Sequence, residues 1–177
     1  MFDGVAVKLP AAPRRIGGKL YVPVHPLAGM LHKRAWTDRV TGRILITTLP
    51  PDVPGVIAVG GVPNADKLHD RIGKDMTVAM YPWWSSFRPF TFTLTLDRPT
   101  RLGALAFSFL PGRNTGAFPL TVEASTDGKT FRKVASGSGK KTDIEFVLRW
   151  KPEDVRYLRV SGGGKSVTRL VKLDFPR

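Results

Sequence analysis

Four aromatic side chains crowd the segment Tyr81-Pro82-Trp83-Trp84-Ser85-Ser86-Phe87-Arg88, just ahead of a run that alternates like a strand. An aromatic ring offers an apolar face to the axial C–H groups of a sugar, while a neighbouring guanidinium or carboxamide hydrogen-bonds its hydroxyls. Trp83, Trp84 and Phe87 with Arg88 therefore form one candidate platform, and the competing role for a tryptophan here is a place in the core. A second candidate is Pro111-Gly112-Arg113-Asn114-Thr115-Gly116, where Arg113 and Asn114 supply planar donors able to read hydroxyls or acidic groups. The same Asn and Gly equally suit a solvated turn. His69, beside Asp70, is a third polar group within reach of a ligand if its segment is an exposed loop.

Catalytic constellations are weaker. There are 3 histidines and no cysteine, so thiolate chemistry, disulfides and thiolate metal sites are absent. His25 and His32 are two helical turns apart and could share a face, but without a third ligand they make a poor metal site and read as surface positions on a basic helix. Ser85, Ser86 and Ser125 lie in no nucleophile-elbow context. Asp143 and Glu145 alternate on a strand face and Glu153-Asp154 reads as a turn, with no acid/base role evident for either pair. Gly60-Gly61 and the glycines at 162–164 are not phosphate loops, because no helix follows Gly164-Lys165-Ser166. The chain reads as a non-enzyme with no metal or cofactor site of its own.

The elements that must carry these residues are mostly strands. The length of 177 residues with 42% hydrophobic content supports one ordinary domain or two small ones. Gly and Pro number 18 and 15, and short alternating runs are separated by turn residues. The clearest strand is Thr91-Phe92-Thr93-Leu94-Thr95-Leu96, with Phe92, Leu94 and Leu96 on one face. Others are expected at 105–110, 120–125, 144–148, 157–160 and 167–175, with turns at 111–114, at Asp127-Gly128 and at 162–164. That spacing predicts a β-sandwich. One short helix is expected at 25–32, flanked by a strand within 19–24 and a hairpin within 37–47, making a small strand–helix–hairpin unit. The proline-rich stretch 49–55 opens a linker placed at 51–62, dividing the chain into 1–50 and 63–177.

The formal charge is +14, with 28 Lys+Arg against 14 Asp+Glu. Residues 1–50 hold 8 cations and 2 Asp, hence +6, and the remainder 20 and 12, hence +8. This favours anionic partners, whether acidic polysaccharide, nucleic acid or an anionic membrane, through a face that includes Lys129, Arg132, Lys133, Lys140 and Lys141. No stretch matches a transmembrane helix, and the opening residues lack the pattern of a signal peptide, so the segment reads as cytosolic or as the remainder of an exported chain.

Two resemblances follow. Pro13-Arg14-Arg15-Ile16-Gly17-Gly18-Lys19-Leu20-Tyr21-Val22-Pro23, then Ala35-Trp36-Thr37-Asp38 and Thr41-Gly42-Arg43-Ile44-Leu45-Ile46, resemble the copper amine oxidase-like N-terminal domain over about 1–50. That likeness implies a non-catalytic stalk-type module of bacterial envelope or secreted proteins, although Leu31-His32-Lys33 stands where a helix-ending Gly is usual. The rest, about 63–177, resembles the discoidin or coagulation-factor type C family, a galactose-binding-like jelly roll that includes carbohydrate-binding modules. The carrying residues are 92–102, Val122-Glu123-Ala124-Ser125-Thr126-Asp127-Gly128-Lys129-Thr130-Phe131 and Val155-Arg156-Tyr157-Leu158-Arg159-Val160. This likeness implies ligand binding on loops at one end of the sandwich, hence contacts from Trp83, Trp84, Phe87, Arg88, Arg113, Asn114 and His69 to a glycan or cell-wall polysaccharide, and an extracellular or envelope location. The family often holds calcium with a Glu near the end of its last strand; here Lys172 takes that position, which argues against the metal.

Overall fold

The computed structural model describes residues 12–37, 43–49, 53–61, 84–86, 89–109, 116–140, 145–163 and 168–176. The chain begins with a hairpin, β1 (Arg14–Ile16) and β2 (Lys19–Tyr21), closed by Gly17 and Gly18 at φ 56° and 77°. A type I′ two-residue hairpin turn needs positive φ at both centres, which glycine adopts without strain. Helix α1 (Val24–Met30) follows, with Pro26 in the first turn, where its missing N–H deprives no hydrogen bond. A second hairpin joins β3 (Lys33–Thr37) to β4 (Ile44–Thr48). The expected strand–helix–hairpin order is thus present, with the turn at 38–42 outside the described residues.

The remaining strands are β5 (Val56–Gly60), β6 (Trp84–Ser86), β7 (Phe90–Phe109), β8 (Phe118–Ser125), β9 (Arg132–Gly139), β10 (Glu145–Gly162) and β11 (Thr168–Asp174). Phe90, Phe92, Leu94 and Leu96 of β7 are buried while the threonines between them are not, the period of two that one covered face imposes. Burying each such side chain is worth about 1.5–3 kcal/mol. The first half of β7 pairs with β5 and with the second half of β10, which pairs on with β8, and β8 with β9. The second half of β7 pairs with the first half of β10 and with β11, which takes β6 on its other side. These two layers share one core that includes Phe92, Leu94, Phe107, Phe109, Phe118 and Leu158. The result is a β-sandwich, as the alternation and turn spacing predict, of the jelly-roll form that the discoidin resemblance implies.

Both long strands belong to both layers. The β7–β10 ladder shifts register between Arg149 and Glu153 and again between Val155 and Tyr157, where the two strands cross from one layer to the other. Gly103 lies in this crease; a Cβ there would come within 2.8 Å of the Pro152 ring. The crossing makes a closed end of the sandwich. At the other end, Phe90 pairs with Gly162 and Gly162 with Leu120, while the Phe109 and Phe118 rings of opposite layers lie 4.5 Å apart. From that end the loops leave.

Several expectations are corrected. The strands at 91–96 and 105–110 are one strand, as are those at 144–148 and 157–160, because the chain stays extended through the corner and pairing resumes after each register shift. Glu153-Asp154 is consequently paired strand, opposite Leu102 and Arg101, and not a turn. The linker at 51–62 contains β5, whose Val56 and Ile57 are buried and which pairs with β7. Helix α1 stops at Met30, so His32 does not share a helical face with His25; it lies beyond the helix at φ 53°. Strand β9 has no counterpart in the expectation, since its Ser-Gly-Ser-Gly stretch lacks apolar alternation.

Candidate functional site

The open end of the sandwich brings the anchors of two candidate loops together. Strand β7 ends at Phe109 and β8 begins at Phe118, so the segment carrying Arg113 and Asn114 starts and finishes beside that ring pair. Leu170 of β11 pairs with Phe109 on one side and Trp84 of β6 on the other. The backbone at Trp84 therefore stands two strands from the root of the 110–115 segment, and the residues flanking β6 include Trp83, Phe87 and Arg88. Trp83, Phe87, Arg88, Arg113, Asn114 and His69 themselves lie outside the described residues. Gly163, at φ 86°, donates its N–H to the Pro119 carbonyl at 3.2 Å, fixing a further loop root at the same end.

The closed end holds a polar assembly not foreseen from the sequence. Asp97 is buried; its carboxylate accepts from the Gly55 N–H at 3.1 Å and meets His32 Nδ1 at 2.7 Å. Arg98 Nη2 donates to His32 Nε2 at 3.0 Å. One histidine tautomer, with hydrogen on Nδ1, serves both contacts: it donates to the carboxylate and accepts from the guanidinium. The buried Arg156 donates to the Asp97 carbonyl at 3.4 Å. His25 is engaged as well, its Nδ1 meeting the Ala35 carbonyl at 2.9 Å, and both histidines are half-buried where surface positions on a basic helix were expected. The His32 bonds fasten the turn after α1 to the sandwich, and the His25 bond ties α1 to β3.

Two adjoining clefts, of about 290 and 340 Å³, also lie at this end and share Arg132 and Glu153, which are ion-paired. One contains the Asp127 turn and the other Trp150. Asp127 accepts from the N–H groups of Lys129 and Thr130 and from the Ser125 hydroxyl, which together lower its pKa to about 2. On the sheet face Arg159 makes two bonds to Glu123, at 2.7 and 2.9 Å, and stands 4.1 Å over the Phe131 ring. Its guanidinium holds the Glu123 carboxyl below its usual range. Part of the basic face is thereby committed to structure: Arg132, Arg156 and Arg159 all have protein partners, while Lys129 and Lys133 are exposed.

No protein-family model and no curated protein matches the chain in sequence, so the likeness of residues 1–50 to the copper amine oxidase-like domain has no support beyond the residues themselves. Solved structures do match in shape. The family 32 carbohydrate-binding module of AlyQ, in complex with 4,5-unsaturated mannuronic acid, has a TM-score of 0.52 at 14% identity, covering 67% of this chain and 92% of that one. A truncated AlyQ with that module and its alginate lyase domains gives 0.53 at 12%, covering 68% and 32%. A family 32 module from Clostridium perfringens gives 0.52 at 14%, covering 73% and 96%. The sandwich has the galactose-binding-like fold of these modules. At such identities the likeness carries the fold alone.

Proposed function

We propose that this chain is a non-catalytic carbohydrate-binding module that holds its glycan on the loops at the open end of the sandwich. The observation that carries the reading is the convergence of two loop roots, beside Trp84 and beside Phe109 and Phe118, on one end of a fold also used by glycan-binding modules. Trp83, Trp84 and Phe87 supply ring faces, and Arg88, Arg113, Asn114 and His69 supply hydrogen bonds to hydroxyls or to an acidic group. Residues 1–50 act as a stalk-like unit seated at the closed end through His32 and Asp97. The location that goes with this reading is extracellular or the cell envelope. Calcium has no place in this reading: by the discoidin-family resemblance Lys172 of β11, which pairs with Ser108 of β7, takes the position of the metal-binding carboxylate, and a cation there repels the metal.

The test is binding of the purified chain to panels of neutral and acidic oligosaccharides, followed by tryptophan fluorescence at low and near-physiological salt. Salt-tolerant binding to one glycan class, lost in a Trp83→Ala/Trp84→Ala variant that still unfolds cooperatively, is the expected outcome. Binding that survives both substitutions sinks the site. Binding only to polyanions such as DNA, abolished by salt, transfers the function to the basic face.

A further inference from the structure

We propose that the β1–β2 hairpin is an anchor that seats the chain on an anionic lipid bilayer, a role separate from the glycan reading and located away from the open-end loops. All eight exposed large hydrophobic side chains among the described residues fall between Ile16 and Ile46, and none is in the sandwich. Four of them are in or beside the hairpin: Ile16, Leu20, Tyr21 and Val22, at 59%, 61%, 52% and 40% exposure. Every residue of both strands is exposed, so the ribbon projects from the body. An isolated two-stranded ribbon of this kind is marginal in water and gains stability only when covered.

The register says what kind of cover fits. Arg14 pairs with Tyr21 and Ile16 with Lys19, which puts Ile16 and Tyr21 on one face; Arg15 pairs with Leu20 on the other. Apolar side chains on both faces of one ribbon are not satisfied by a protein surface docking on one side. The bilayer interface encloses a projecting tip from both sides at once, with aliphatic groups in the acyl region and tyrosine at the headgroup level. Charge selects the lipid. Arg14, Arg15 and Lys19 flank the tip, and residues 1–50 carry 8 Lys+Arg against 2 Asp. That composition repels a second copy of the same surface and attracts anionic headgroups.

The experiment is vesicle co-sedimentation of the whole chain with phosphatidylcholine alone and with phosphatidylglycerol as roughly a third of the lipid. Binding is expected to the second vesicle and to be weak on the first. Ile16→Ser with Leu20→Ser should weaken it at least about tenfold, since each side chain loses its burial. Replacing Arg14, Arg15 and Lys19 by Ser should cost about fivefold per cation and flatten the salt dependence. Because the chain has no cysteine, a Leu20→Cys protein takes one environment-sensitive dye, whose emission should shift to the blue on the anionic vesicles. Absence of vesicle binding, binding unchanged by both sets of substitutions, or a dimer in solution that Ile16→Ser/Leu20→Ser dissociates would each overturn the proposal. Glycan binding is the independent control: it should survive the hairpin substitutions, and vesicle binding should survive Trp83→Ala/Trp84→Ala.

Discussion

Asp127 and Asp97 are both aspartates with several hydrogen bonds, yet only one could be recognised from neighbouring residues. Asp127 is bonded by Ser125, Lys129 and Thr130, all within three positions, so the run Ser125-Thr126-Asp127-Gly128 announces its own turn. Asp97 is bonded by Gly55 and His32, which stand 42 and 65 residues away. It follows the alternating buried residues Phe90, Phe92, Leu94 and Leu96 and so falls on the outer face of β7 by phase; only the earlier segments carrying His32 and Gly55, which cover that face, turn it into a buried anchor. The Asp127 turn carries a pH prediction. Its pKa is about 2 in the fold against 3.8 for the free side chain, so its contribution is complete above about pH 4 and is lost as pH falls from there toward 2. The gap in melting temperature between wild type and Asp127→Ala should therefore be open at pH 6 and close progressively over that acidic range. A gap that stays constant down to pH 2 would show that the carboxylate charge contributes nothing to the turn.

Helix α1 and strand β5 meet where a side chain has no room. A Cβ on Gly29 would lie 2.3 Å from the Val56 carbonyl oxygen, backbone that cannot rotate aside. Elsewhere in a helix Gly→Ala stabilises by about 1 kcal/mol; here overpacking of about 1–3 kcal/mol opposes it. Gly29→Ala should accordingly lower the urea midpoint, and an increase would mean that α1 is not seated on β5 as described. This contact explains why β5 was hidden in the sequence. Residues 49–55 are rich in proline, and Val56–Gly60 is too short to show alternation, so its strand character comes from pairing with β7 and from the helix above it. The strands with eight or more residues and a covered face, β7, β8 and β10, were legible because each carries the period of two in its own residues. The merging of four expected strands into β7 and β10 was not, because Arg98-Pro99 and Lys151-Pro152 look like breaks; they fall at the register shifts, and the ladder resumes on either side of them, Ala104 with Arg149, Leu102 with Glu153 and Thr95 with Tyr157.

Across the whole molecule, composition and turn spacing were enough for the β-sandwich, while the candidate binding residues were chosen by residue chemistry and by likeness, and all of them except Trp84 lie outside the described residues. If calcium has no structural part, chelation should leave the melting temperature unchanged and added calcium should not raise it; a rise would place a metal site somewhere in the loops. The two ends also differ in how the chain enters and leaves them. Val56 of β5 pairs with Leu96, and Asp174 of β11 with Ala106, so the sandwich is entered and left at or toward the closed end. The open-end loops are at the far side. Tension between a tether entering through β5 and anything gripped by those loops is directed along the strands. The β5–β7 ladder is then loaded in shear, its hydrogen bonds sharing the force together instead of unzipping one after another, and the crossing of β7 and β10 keeps the two layers from sliding apart. A module with this layout has the geometry of a mechanical coupler.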